Sequence, residues 1–134
     1  LNKPEELISY YDHKLKFVFD SNMPFGLSGL IIGDTVYLNR NLSYEELIAT
    51  IAEEIGHYET SPSNNITDYE VIKNSKNEYT ARRWSYKKLV PYDELKSFIK
   101  DKEAVHDYEL AEEFEVPKNI IEEAINMYRV DGQL

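Results

Sequence analysis

At 134 residues the chain is sized for one compact domain, or one domain with a small appendage, and its 42% apolar share is enough for a packed core. Its 25 acidic against 15 basic side chains leave a formal charge of −10, which argues against a protein that grips phosphate backbones, since that needs a concentrated basic surface. With no cysteine, a disulfide scaffold and a thiolate zinc site are excluded, and any metal must be held by His, Glu or Asp; this fits a reducing cytoplasm.

The chain starts at Leu1 rather than Met, as a trimmed or processed end would. It shows neither a signal-peptide pattern nor an apolar run long enough to span a bilayer. Residues 4–13 predict a short helix, with Pro4 in its first turn and Leu7, Ile8 and Tyr11 as the apolar stripe. Residues 14–19 alternate as a strand does, and residues 21–29 (S-N-M-P-F-G-L-S-G) form a turn-rich connection. Two apolar runs, residues 30–32 and 35–38, flank Gly33-Asp34 and predict a tight hairpin. Ser43 with Glu46 three residues on is a capping box, opening a helix expected to run to about His57. A loop is expected over residues 60–65. Helical patterns then cover residues 77–89, 92–100, 108–114 and 118–128, divided by Val90-Pro91 and Val116-Pro117. A helix, a small antiparallel sheet and then helices alone make an α+β pattern.

The helix from Ser43 ends in A-E-E-I-G-H-Y, with Glu53, Glu54 and His57 in its last turns. This is the H-E-x-x-H arrangement of zinc proteases with glutamate in place of the first histidine. A spacing of four stacks residues 53 and 57 on one helical face, where two side chains can chelate one ion. Carboxylate and imidazole are both admissible zinc ligands. Glu54 stands beside them, where a carboxylate can take a proton from water that a metal has made acidic. A plainer reading competes: adjacent glutamates on amphipathic helices are usually solvated, and a histidine near a helix C-terminus is favoured by the dipole. Against it, Leu47, Ile48, Ile51, Ala52 and Ile55 leave little of the helix polar, which predicts burial against the sheet. Gly56 costs about 1 kcal/mol against alanine, tolerable where another backbone approaches closely; it could also begin the helix's end.

A third ligand is needed, and Glu78 is the best candidate. In E-Y-T-A-R-R-W, Glu78, Ala81, Arg82 and Ser85 share a helical face, and the small Ala81 lets that helix lie against the first. The competing reading is an exposed Glu78–Arg82 pair worth about 0.3–0.5 kcal/mol. Glu59, Asp68 and Glu70 are weaker alternatives. His13 and His106 read as surface residues, and a tyrosine near the metal could stabilise an oxyanion.

Taken together, A-E-E-I-G-H (52–57), E-Y-T-A-R-R-W-S-Y-K-K-L-V-P (78–91), the preceding G-L-I-I-G-D-T-V-Y-L-N (29–39) and the closing L-A-E-E-F-E-V-P-K-N-I-I-E-E-A-I-N-M-Y (110–128) resemble the ImmA/IrrE family of metallopeptidases. Its members pair H-E-x-x-H with a downstream E-x-x-A-x-x-F/W…L-x-P helix. The resemblance implies a zincin-like minimal core over residues 1–104, with residues 105–134 a helical C-terminal extension packed on the same domain. It implies a bound Zn2+, with His57 and Glu78 as ligands and Glu54 as the catalytic glutamate. Position 53 departs from the family pattern; phage-type members with A-E-E-L-G-H imply that Glu53 is a tolerated ligand. The family also implies a substrate class, helix-turn-helix repressors of phages and mobile elements.

Residues 110–128 themselves resemble a small helix-turn-helix, but the second helix offers Glu122 and Glu123 where DNA binding needs basic or amide side chains. They read as a packing or partner-docking element, with no direct contact to nucleic acid. The expected protein is a cytoplasmic zinc endopeptidase. Its rival is a catalytically inactive pseudo-peptidase that binds a repressor, as an antirepressor or a toxin–antitoxin-type regulator does.

Overall fold

A computed structural model of the chain describes residues 1–60 and 75–134. The first helix, α1 (Lys3–Tyr11), is capped by Asn2 in a reciprocal box with Glu5, and it ends two residues short of the expected His13. Strands β1 (Lys16–Asp20), β2 (Gly29–Ile32) and β3 (Thr35–Asn39) follow. Then come the helices α2 (Tyr44–Thr60), α3 (Ser75–Leu89), α4 (Tyr92–Ile99), α5 (Asp107–Phe114) and α6 (Lys118–Val130). The class is α+β, as expected.

The sheet corrects one expectation. It is mixed rather than wholly antiparallel, with strand order β1-β3-β2. β2 and β3 form the expected hairpin, with Leu30 opposite Tyr37 and Gly33 at φ 62 in the turn. β1 instead lies parallel to β3, Phe17 opposite Val36. The reason is where the connection goes: leaving β1 beside Asn39, residues 21–28 cross the end of β3 and enter β2 on its far side. Two strand spacings are only ~10 Å, which eight residues cover with slack left for a 3₁₀ turn at Pro24–Gly26.

α2 is the spine of the molecule, and its cap is the one anticipated: Glu46 N–H donates to Ser43 Oγ at 3.2 Å while Ser43 N–H donates to Glu46 Oε1 at 3.2 Å. Its two apolar faces serve two cores. Ile51 and Ile55 pack with Leu30, Ile31, Val36 and Leu38 of the sheet. Ile48 and Ala52 pack with Leu89, Leu95, Phe114 and Ile121 of the later helices. A helix with apolar partners on both sides reads as almost wholly apolar, which accounts for its composition. It runs three residues past His57, so Gly56 lies inside it rather than at its end, and Thr60 Oγ1 donates back to the Gly56 carbonyl at 2.7 Å.

α5 and α6 turn through Glu115, which sits at φ 56, and add Leu110, Phe114, Ile121, Ala124 and Met127 to the helical core. The Tyr128 hydroxyl donates to the Val90 carbonyl at 2.7 Å and ties α6 to the α3–α4 corner. The apolar faces of the helix-turn-helix-like pair are thus spent on packing. No helix of the described residues is long and apolar enough to cross a membrane.

Candidate metal centre

Two close approaches build the site, and each depends on a missing Cβ. α2 and α3 make the most extensive helix–helix contact of the fold. At its centre a Cβ on Gly56 would stand 2.5 Å from the Ala81 carbonyl oxygen. The small residue at 81 does let its helix lie close, and the backbone that approaches Gly56 is that of Ala81. On the other flank β2 begins against α2, where a Cβ on Gly29 would stand 2.5 Å from Thr50 Cγ2 and 3.2 Å from Glu54 Oε2.

The first approach brings Glu78 over the last turns of α2. Ligand atoms of Glu53, His57 and Glu78 all lie within 4.8 Å of one another. His57 Nε2 is 3.3 Å from Glu78 Oε1, close to the ~3.4 Å that separates two ligands of a tetrahedral ion with bonds of about 2.1 Å. The imidazole is buried, while the two carboxylates are partly open to solvent. The sequence candidates thus separate. Glu53, His57 and Glu78 converge. Glu59 is exposed and hydrogen-bonds Tyr11; Asp68, Glu70 and most of the expected loop lie outside the described residues. His13 and His106 are exposed, the latter stacked on Tyr108.

Glu54 is the unusual group. It is 4% exposed, and its Oε1 has no hydrogen-bond partner among the described residues. A buried carboxylate without partners is costly, and burial pushes its carboxyl up to about 8; His57 pulls it down, and Glu53 and Glu78 push it further up. Glu53 is raised as well, by burial and then by the charge of Glu78, against Arg82 and His57. For His57, burial works against the charged imidazole, but the hydrogen bond to Glu78 and the surrounding carboxylates outweigh it and raise its value. Four ionisable groups so crowded mark a functional site more often than a structural one. An orphaned buried carboxylate beside a His/Glu/Glu donor set is what a divalent cation would complete, so the residues fit a metal of the zinc type.

A cleft of about 500 Å³ opens beside these groups, lined by Gly29 and Leu30 of β2, Thr50, Glu53 and Glu54 of α2, and Ile120 of α6. Two participants escaped the sequence reading. Gly29 was part of a turn-rich connection, and only its register against Thr50 reveals its role. Arg82 was paired with Glu78 alone, a pair that exists at 3.4 Å; it also reaches Glu53 Oε1 at 3.3 Å. The E-x-x-A-R spacing held a signal for that second bond, because it puts residue 82 on the face that Ala81 presses toward α2.

A helix bearing a carboxylate and an imidazole one turn apart, a second helix adding a carboxylate, and a small sheet with its edge strand at the cleft define a zincin-like, metallopeptidase-type domain. Residues 11–126 match the model of the IrrE N-terminal-like domain, a peptidase family, and the chain belongs to that ImmA/IrrE family. No curated protein and no solved structure matches the chain.

Proposed function

We propose that this protein is a zinc-dependent endopeptidase whose metal is held by Glu53, His57 and Glu78, with Glu54 as general base. The observation that carries this reading is the convergence of those three donors beside the buried Glu54, whose Oε1 has no hydrogen-bond partner among the described residues. A metal bound there would supply Lewis acidity, making water acidic and polarising a peptide carbonyl. Glu54 would take the proton that water loses as it attacks the carbonyl carbon. It would then give that proton to the amine nitrogen as the C–N bond breaks. Burial, with the bare backbone of Gly29 beside it, leaves Glu54 Oε1 without a hydrogen-bond partner among the described residues and keeps its proton affinity high.

A peptide substrate is supported by β2, which among the described residues is at an edge of the sheet and whose Gly29 and Leu30 border the cleft, where an extended chain would have backbone groups to pair with. The choice of a helix-turn-helix repressor as substrate rests on the family resemblance, and that of the cytoplasm as location on the cysteine-free composition. The alternative, a repressor-binding pseudo-peptidase with a weak or empty metal site, has one observation in its favour: position 53 is glutamate where the family pattern has histidine.

Zinc content separates the two. Protein purified without chelator should carry about one zinc per chain and melt higher with zinc than without. Glu54→Gln should keep the metal and lose cleavage of a co-expressed repressor by ~10²–10⁴-fold. Absence of metal uptake, or cleavage surviving in Glu54→Gln, would defeat the reading.

A further inference from the structure

Arg82 stands one turn after Glu78 on α3 and reaches across to α2. Its Nε is 3.3 Å from Glu53 Oε1 and its Nη2 is 3.4 Å from Glu78 Oε2. The other oxygen of Glu78, Oε1, faces His57 Nε2 at 3.3 Å. The guanidinium therefore engages one oxygen of each carboxylate, and in Glu78 it is the oxygen turned away from the imidazole. Glu53 and Glu78 belong to different helices, so no local backbone constraint sets their mutual orientation. Among the described residues, Arg82 reaches both.

Charge points the same way. Glutamate at position 53 adds a negative charge that an imidazole would not. Arg82 sets one positive charge 3.3 Å from that carboxylate. The arginine is half exposed and its contacts are long for charge-assisted bonds, which run about 2.7–2.9 Å. Such a pair contributes little to folding, so the arrangement is poorly explained as a stability device.

We propose that Arg82 is a positioning residue for the metal centre: its two-armed hold fixes Glu53 and Glu78 as one-oxygen ligands and cancels the charge that Glu53 brings. This rests on the metal-centre reading above. One-oxygen carboxylates suit a four-coordinate zinc-type site, whereas carboxylates free to bind through both oxygens suit the six to eight ligands of calcium. Arginine fits the task because its donors form a rigid planar fork; lysine offers a point charge without one.

The test is a Co2+ titration of the full chain followed by visible absorption, with Zn2+ competition, on the unaltered protein, Arg82→Gln, Arg82→Lys and Arg83→Gln. Arg83 is the matched control, since it lies on the same helix but pairs with Asp131 at 2.7 Å, away from the carboxylates. Arg82→Gln should weaken Co2+ and Zn2+ binding ~10–100-fold and replace the intense four-coordinate Co2+ band by a weak one. Arg82→Lys should recover little of either, and Arg83→Gln should match the unaltered protein. In chelator, Arg82→Gln should melt within about 2 °C of the unaltered protein. Unchanged affinity and band in Arg82→Gln, or full recovery in Arg82→Lys, overturns the two-armed role. A chelator melting temperature that falls as far as the affinity loss implies overturns it too, in favour of a folding role. If the unaltered protein takes up no Co2+, the metal centre itself is lost, a failure distinct from normal uptake that ignores Arg82.

Discussion

The two walls of the site are built on the same device and differ in what the device touches. Where α3 crosses α2, the space left by Gly56 is filled by backbone, the Ala81 carbonyl. Where β2 meets α2, the space left by Gly29 is filled by side chains, the Thr50 methyl and the Glu54 carboxyl arm. Backbone held in two helices cannot yield, while side chains turn about their χ angles. The α3 wall delivers Glu78, which as the proposed ligand must be held within a fraction of an ångström for coordination. The β2 wall borders Glu54, which as the proposed base needs some freedom to receive a proton on one side and give it up on another. Rigidity is thus found where geometry is demanded and compliance where a proton must move.

Substitutions at the two glycines test that difference directly. Gly56→Ala should be the more damaging. It gains about 1 kcal/mol of helix propensity but forces two helices apart, for a net cost of about 2 kcal/mol. It should also carry Glu78 away from His57, so zinc binding measured by calorimetry should be lost even at temperatures where circular dichroism shows a folded chain. Zinc binding retained at full strength in Gly56→Ala would show that the crossing does not place the ligand.

The β2 wall predicts a pH effect of next size. In the folded, metal-free protein Glu54 keeps its proton up to about pH 8, whereas unfolded it ionises near 4.5. Between those values the folded state holds the extra proton, so stability falls as pH rises. The raised value of His57 acts with the same sign: its contribution is full below about 6.5 and is lost as pH climbs through the folded value. Melting temperature in chelator should therefore decline from pH 5 to pH 8. Glu54→Gln, which cannot ionise, should flatten most of the decline and be more stable at pH 8 by on the order of 3 kcal/mol. A metal-free melting temperature that rises over this range would contradict the burial of Glu54. Gly29→Ala should have the smallest effect, ~1 kcal/mol in denaturant unfolding, with zinc affinity near that of the unaltered chain and activity reduced, because Thr50 can turn aside but the base is crowded.

Much of α2 is legible in the amino-acid string because its determinants are local: the Ser43–Glu46 box, the apolar periodicity and the 53/57 spacing all lie within a few turns. Glu78 is legible for a related reason, since E-x-x-A puts a carboxylate and a small residue on one face, and a small residue invites a close crossing. What escapes is what only the assembled chain decides. The parallel register of β1 on β3 depends on which way eight residues cross a strand end, and no periodicity encodes that. The helix continues to Thr60 because its cores and the α3 crossing stabilise it past a glycine that propensity alone would treat as a stop. Arg82 has a partner one turn away in its own helix, and the local pair conceals the reach to Glu53.

The placement of α2 between two cores bears on how the protein opens. A helix that closes off one core with Ile51 and Ile55 and another with Ile48 and Ala52 cannot be released by loosening either half alone. Its middle amides should therefore exchange with solvent only through whole-molecule opening, in contrast to those of α1 and α4 at the periphery. Two of the three proposed donors, Glu53 and His57, sit on this slowest-exchanging segment and the third, Glu78, on the helix packed against it, so a bound ion should protect the whole molecule against proteolysis rather than its own neighbourhood.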